Sequence, residues 1–313
     1  MHTRDLPLTE ARALIERGIA KAQDLGVRGA IAVVGASGVL VSASRMDRGG
    51  TAGMARARSK AWIAATQQMP SVEHLRRMTT LPFPMERGFV GTAPEAVFPG
   101  AGGMPIRADD GAVVAGIAAS GATVGPFVTY EGADPRKLIV HGKPANCEDL
   151  LVHFALGIPY VGQHGDDEQR WIDAYGSLPD EPGLGYEEPP PPTQPEHEWA
   201  LALADRAIAE AQRRDVRIAV AVVDHRGDPI QQDCMDGAPT AGPFVAEAVA
   251  VTAATFQVAS ERVHGDLAAL LPLTAAVAPG GVPIAEDDRV VGGLGIGGPA
   301  PHTCAEIAAA VIA

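Results

Sequence analysis

Residues 30–53 read Ala-Ile-Ala-Val-Val-Gly-Ala-Ser-Gly-Val-Leu-Val-Ser-Ala-Ser-Arg-Met-Asp-Arg-Gly-Gly-Thr-Ala-Gly. Residues 219–242 read Ala-Val-Ala-Val-Val-Asp-His-Arg-Gly-Asp-Pro-Ile-Gln-Gln-Asp-Cys-Met-Asp-Gly-Ala-Pro-Thr-Ala-Gly. Each stretch opens on a short apolar run and turns at a glycine, Gly38 or Gly227. Each then resumes and closes on Met-Asp followed by Thr-Ala-Gly. Two runs around a glycine turn spell a β-hairpin. The register extends outward without a gap from Ala11/Ala200 to Gln68/Gln257, and 26 of those 58 paired positions are identical. A second block matches Gly102-Gly103-Met-Pro-Ile-Arg-Ala-Asp-Asp with Gly280-Gly281-Val-Pro-Ile-Ala-Glu-Asp-Asp. Two copies with a whole-domain period indicate a fused pair of like domains, not a solenoid. Differences between the copies therefore become the functional signal.

The flanking segments follow the same plan. Ala11, Leu14, Ile15, Ile19 and Ala22 recur at helical spacing before the first hairpin, as Leu203, Ala207, Ile208 and Ala211 do before the second. A second helix carries alanine at 57, 61, 64 and 65, and again at 246, 250, 253 and 254. Such a face lets a helix lie close to whatever covers it, and the other repeat is the expected partner. The copies differ most over 122–192, where the first repeat inserts a polar stretch and a helix is expected over Asp166–Tyr175. That insert is a lid or simple packing. Pro189–Pro192 marks an extended linker. The expected division is a first repeat over 1–160, insert and linker over 161–195, and a second repeat over 196–313.

Composition narrows the function classes. The 313 residues carry a net charge of −13 and no basic, aromatic-rich stripe, which argues against nucleic acid as a partner. No apolar run spans a membrane, and no leader is evident at the N-terminus. Three cysteines without CxxC spacing read as thiols of a reducing compartment, and the cytoplasm is the expected location. The nine histidines form no metal-binding motif, so no metal site is expected, and each histidine singly suits a surface or cap.

Charge divides the copies. Residues 45–60 carry Arg45, Arg48, Arg56, Arg58 and Lys60 against Asp47, whereas 234–249 carry only Asp236 and Glu247. In an acidic chain this cluster is a candidate anion site, with Arg45 as a forked clamp and Lys60 as a point charge. Asp47 and Asp236, each after a methionine (Met46, Met235), are either helix caps or polar site residues. The Gly102-Gly103 and Gly280-Gly281 pairs serve a tight turn or, less readily, a ligand cradle. Asp224 and His225 sit in the second hairpin turn, where the first copy has Gly35.

The order helix, Ala-Val-Val-Asp-x-x-Gly hairpin, Met-Asp-Gly-Ala, alanine-rich helix, Gly-Gly-x-Pro-Ile, Val-Val-Gly-Gly-Leu-Gly resembles the GlcG/HbpS family, which includes the C-terminal domain of PduO-type proteins. The resemblance spans both repeats and stops at the insert. It implies an α+β fold, two profilin-like domains each with a central antiparallel sheet flanked by helices. It also implies haem as the cofactor, apart from which none is expected, and assembly into oligomers. The family's Arg-Met-Asp stands intact at Arg45-Met46-Asp47 and its Lys-Ala at Lys60-Ala61. The second repeat has Cys234 and Val249 at the first position of each, and both closing helices show a cysteine, Cys147 and Cys304, near their start.

The expected function is binding of a small anionic molecule, a tetrapyrrole or an organic acid, in a composite cleft of a fused pseudo-dimer that assembles into a homo-oligomer. Arg45, Lys60, Met46, Gly102, Gly103, Asp224, His225, Asp236, Gly280 and Gly281 are the expected ligand-facing residues. The alternative is a cofactor-independent lyase, isomerase or hydrolase acting on a small carboxylate or an oxidised aromatic. Lys60 would be its base or electrophile, Arg45 its clamp and Asp47 its acid or orienting group.

Overall fold

Alternation of side chains along the hairpins builds the fold, because every second residue must find an apolar layer on its own face. The computed structural model describes residues 6–93, 96–122, 134–163, 165–178, 183–265 and 274–313. The chain forms two compact units, Met1–Val39 with Arg48–Thr193, and Leu40–Asp47 with Gln194–Ala313. Leu40–Asp47, inside the first repeat by sequence, thus packs with the second unit.

In the first unit α1 (Leu8–Asp24) leads into β1 (Ala30–Gly35). After the residues given to the second unit come α2 (Thr51–Thr66), α3 (Ser71–Thr79) and α4 (Phe83–Thr92). β3 (Gly103–Arg107) and β4 (Val113–Ser120) complete an antiparallel set in the order β3-β4-β1. Gly18 of α1 would, with a Cβ, press to 2.5 Å from Ile31, so the bare Cα seats this helix on β1. A side chain at Gly116 of β4 would come within 2.3 Å of the Ala61 carbonyl. The alanine face of α2 is therefore consumed by the sheet of its own unit.

The insert follows as a two-residue hairpin, β5 (Ile139–Val140) and β6 (Lys143–Pro144), then α5 (Cys147–Leu156) and α6 (Asp167–Tyr175). The helix expected over Asp166–Tyr175 is present. The lid expectation falls partly on residues 123–133 and 179–182, outside the described residues. The end of the linker is tied to α1, with the Thr193 amide donating to Gln23 at 2.8 Å and the Lys21 amine donating to the Glu187 carbonyl at 2.9 Å.

The second unit contains β2 (Leu40–Arg45), α7 (Pro195–Arg213), β7 (Ala219–Asp224), β8 (Pro229–Cys234), α8 (Gly242–Phe256), β9 (Gly281–Glu286), β10 (Arg289–Gly297) and α9 (Pro301–Ile312). The strands pair antiparallel in the order β2-β8-β7-β10-β9. Val220, Val222, Leu294 and Ile296 pack with Leu203, Ala207 and Ile307 of α7 and α9. Ala219, Ala221 and Val223 point the other way, onto Ala246, Ala250 and Ala254 of α8. Each face of β7 thus meets its own helical layer, an α+β architecture. The glycines of Gly-Gly-Leu-Gly admit that layer: Cβ atoms at Gly293 and Gly295 would meet the Ala250 and Ala246 carbonyls at 2.4 and 2.0 Å. Among the described residues no helix is long and apolar enough to cross a membrane.

Candidate functional site

Lys60 and Arg45, the two cations singled out by the comparison of copies, lie in different units, and each has its own carboxylate. Lys60 lies on α2 with 3% of its surface exposed. Its amine reaches Glu148 Oε2 at 2.5 Å and the Ala119 carbonyl at 3.4 Å. The other oxygen of Glu148 accepts the Gly121 and Ala122 amides at 2.8 and 3.3 Å. Glu148 occupies the first turn of α5, where the Asn146 side chain caps the Glu148 and Asp149 amides and the helix dipole favours acids. Asp149 accepts the Gly102 amide at 2.6 Å, while its second oxygen is buried with no hydrogen-bond partner among the described residues. Burial pushes its carboxyl up to about 7; Asp167 and Glu148 push the same way, and the Gly102 amide and Lys60 oppose them.

Gly102 and Gly103 pack tightly within this group. Gly102 adopts φ +96°, and a Cβ there would stand 2.7 Å from the Ala119 oxygen and 2.8 Å from Glu148 Cβ. A Cβ at Gly103 would meet Ser71 Oγ at 2.5 Å. In the second unit a Cβ on Gly280 would meet Cys304 Cβ at 3.2 Å, and one on Gly281 the Val249 carbonyl at 2.2 Å. Cys304 therefore stands where Glu148 stands in the first unit, so the closing helices align Cys304 with Glu148 and not with Cys147. Lys60 and Glu148 are exchanged together, for Val249 and Cys304. A charged pair replaced by an uncharged one keeps the interior balanced.

Arg45, at the end of β2, is 6% exposed. Its guanidinium donates to Asp224 Oδ2 at 2.8 Å and to the Pro229 carbonyl at 2.8 Å. Asp224 also accepts the Arg226 and Asp228 amides, which shapes the β7–β8 turn. Here too the exchange is coupled: the first copy keeps the arginine and has Gly35, and the second keeps the aspartate and has Cys234. Asp47 accepts the Glu196 and His197 amides at 3.2 and 2.9 Å, capping the N-terminus of α7. That is the capping role of the two expected for it. Met46 and Met235 are buried in the core, whereas His225 and Asp236 are exposed.

A cleft of about 640 Å³ opens elsewhere in the first unit, between α1, β3 and the end of α5. Leu6, Leu14, Ile106, Leu156 and Ile158 form apolar walls, with Arg17, Arg107 and Met104 among the lining groups and Glu10 at the same surface. Arg107 is held by the Gly111 and Gln68 carbonyls at 2.9 and 3.0 Å, and Arg17 lies 5.4 Å from the centre of the Phe154 ring. Met104 Sδ accepts the Gln163 amide at 2.8 Å. The second copy keeps Arg206 opposite Arg17 but has Val282 and Ala285 opposite Met104 and Arg107. Copy divergence within the Gly-Gly-x-Pro-Ile block was the signal for these two residues, which the charge count over 45–60 did not reach.

Against known proteins, the family model described as "Haem degrading protein HbpS-like" matches residues 6–125 and 196–313. Among solved structures, a PduOC–haem complex is 25% identical, covering 36% of this chain and 88% of that chain at a TM-score of 0.34. A doubly substituted HbpS of Streptomyces reticuli is 25% identical, covering 37% and 83% at a TM-score of 0.34. The ORFY protein of Klebsiella pneumoniae is 18% identical, covering 37% and 86% at a TM-score of 0.35. No curated protein matches at a significant level.

Proposed function

Because the chain belongs to the HbpS-like family of haem degrading proteins, we propose that it binds haem or a related tetrapyrrole in the α1–β3–α5 cleft of the first unit. One observation carries the reading: an apolar cleft of about 640 Å³ with two arginines and a thioether in its lining. The volume falls in the range of small-molecule sites, roughly 300–1,000 Å³. Apolar walls suit a flat hydrophobic body. Arg17 and Arg107 suit its carboxylates, since each guanidinium has five donors and those of Arg107 are only partly used. Met104 offers a soft sulfur, a known class of haem-iron ligand, in place of its present bond to Gln163. Bound haem would supply an iron centre capable of redox chemistry; the chain's own residues hold its edges and keep its faces from water. The setting we propose is the cytoplasm, with chains assembling further into homo-oligomers.

Haemin titration tests this on the full chain. A saturable Soret shift is expected, with Arg17→Ala/Arg107→Ala weakening binding at least about tenfold and Met104→Leu altering the spectrum. A double variant that titrates like the parent would reject the site.

A second reading rests on a different observation, the dry Lys60–Glu148 contact beside Phe98 and Gly100, which only the first unit has. In a cofactor-independent lyase, isomerase or hydrolase the Lys60 amine would condense with the carbonyl of a small keto acid, forming an imine with loss of water, while Glu148 takes up and returns the protons. Borohydride trapping with pyruvate separates the readings: a Lys60 adduct favours the enzyme, and its absence favours binding alone.

A further inference from the structure

The first copy is longer than the second at two places. Between Gln68 and Gly102 lie 33 residues, against 22 between Gln257 and Gly280. The other place is 122–192, since the second repeat runs from Gly298 through Pro299 and Ala300 directly into α9. Among the described residues of the first unit, every large apolar side chain that stands exposed falls in these two stretches. The shared scaffold of that unit buries its own. Apolar surface left in water on added chain marks an interaction element, because its burial is favourable and the scaffold does not supply it.

Each stretch presents one helix. α4 is anchored to α3 through Phe89, whose ring lies 4.7 Å from that of His74. Phe83, Arg87 and Val90 follow one another at helical spacing on a different face, and all three are exposed. Phe83 is 63% exposed and Met85, on the flank, 60%. Arg87 lies 4.6 Å over the Phe83 ring, in the middle of the apolar stripe. α6 is anchored by Asp167 and Trp171, both buried. Glu168, Ile172 and Tyr175 repeat the same spacing on its exposed side, with Leu178 just beyond. The wider charge follows the stripes. Residues 48–92 carry seven Lys or Arg against two acids in a chain of net charge −13, whereas 166–178 carry four acids against Arg170. Arg76 donates to the Gln163 carbonyl, which ties the α3–α4 segment to the approach to α6.

We infer that α4 of one chain docks on α6 of a second copy, apolar stripe against apolar stripe and basic segment against acidic segment. A twofold pairing makes the contact twice, because each copy gives its α4 and receives the other's. Opposite charge fixes which helix meets which, since α4 on α4 or α6 on α6 sets like charges together. The acidic, apolar surface that α4 calls for is present on the chain itself, and this selects a second copy over an anionic lipid surface. The inference rests on the proposed assembly into homo-oligomers and names an interface for it. Both helices lie where the first copy departs from the second, so the interface belongs to the added chain and not to the duplicated scaffold.

Sedimentation of the full chain over a dilution series tests it. The parent should associate, and Phe83→Asp and Ile172→Asp, both at exposed positions, should each weaken that association at least about tenfold. Each variant spoils one helix only. An equimolar mixture of the two therefore keeps one intact α4–α6 contact and should associate at a concentration where neither variant does alone. A parent that is monomeric throughout rejects both the interface and the homo-oligomer reading. An oligomer that both variants leave unchanged, or a mixture no better than its components, overturns the interface and leaves the oligomer standing. Vesicles of phosphatidylserine supply the last arm: binding by the parent that Phe83→Asp abolishes, with no change in association, would assign α4 to a lipid surface and overturn the proposal.

Discussion

Arg45 and Asp224 form one buried contact from the two halves of the duplication, and each copy has lost the opposite member. Such a pair is costly to break from one side, about 3–5 kcal/mol for a fully buried case and less here because Asp224 is 15% exposed. Arg45→Cys and Asp224→Gly should each lower the urea midpoint, and together cost about 1–3 kcal/mol less than their sum. Strict additivity would mean that the contact carries no coupling. The divergence of Arg45, Lys60 and Asp224 between the copies was legible in the sequence. The carboxylates that receive the two cations were not. Asp224 lies 179 residues from Arg45, and Glu148 lies 88 residues from Lys60, hidden by a shift in the start of the closing helix. Asp47 shows the converse: its residue type left a cap and a site role both open, and the helix it caps, α7, begins about 150 residues away.

Asp149 gives the residue scale its pH dependence. Its folded carboxyl titrates near 7, above the ordinary value of 3.8, chiefly because it is buried. The native state therefore keeps a proton that the unfolded chain has already released across that window. This contribution to stability is present in full below about pH 4 and is lost as pH rises toward 7. Asp149→Asn retains an oxygen for the Gly102 amide and removes the titration. Unfolding midpoints at about pH 5 and about pH 8 should fall with pH in the parent and flatten in the variant. Parallel slopes in the two proteins would contradict this account.

At the scale of elements, small residues set the distance between helix and sheet. The alanine faces of α2 and α8 and the glycines of β4 and β10 are two sides of one contact, closed inside each unit. Gly295→Ala would drive a methyl to 2.0 Å from the Ala246 carbonyl. The expected cost is about 1–3 kcal/mol or more by overpacking, read from a thermal or urea midpoint. A neutral Gly295→Ala would mean that α8 moves outward without penalty. Helices and hairpins were readable because periodicity and turn glycines are local signals. The partner of an alanine face is not local: the spacing shows that something lies close, and only the fold shows that it is the sheet of the same unit. β2 shows the same limit, since a strand pattern identifies the strand but not the compact unit that takes it.

For the whole molecule, duplication followed by unequal change is the organising fact. Both copies keep the hairpins, the Met-Asp pairs and the Gly-Gly turn. Only the first combines Arg17, Met104 and Arg107 around an apolar cleft, and only the first carries the insert. Membership of a haem-degrading family alone would suggest two equivalent ligand sites per chain. The residues argue for one, because Val282 and Ala285 replace the thioether and one guanidinium in the second copy. The stoichiometry of haemin binding to the full chain decides between them. The account predicts a single saturable equivalent per chain, abolished or weakened about tenfold by Arg17→Ala/Arg107→Ala. Two equivalents per chain, or one that survives the double substitution unchanged, would contradict it.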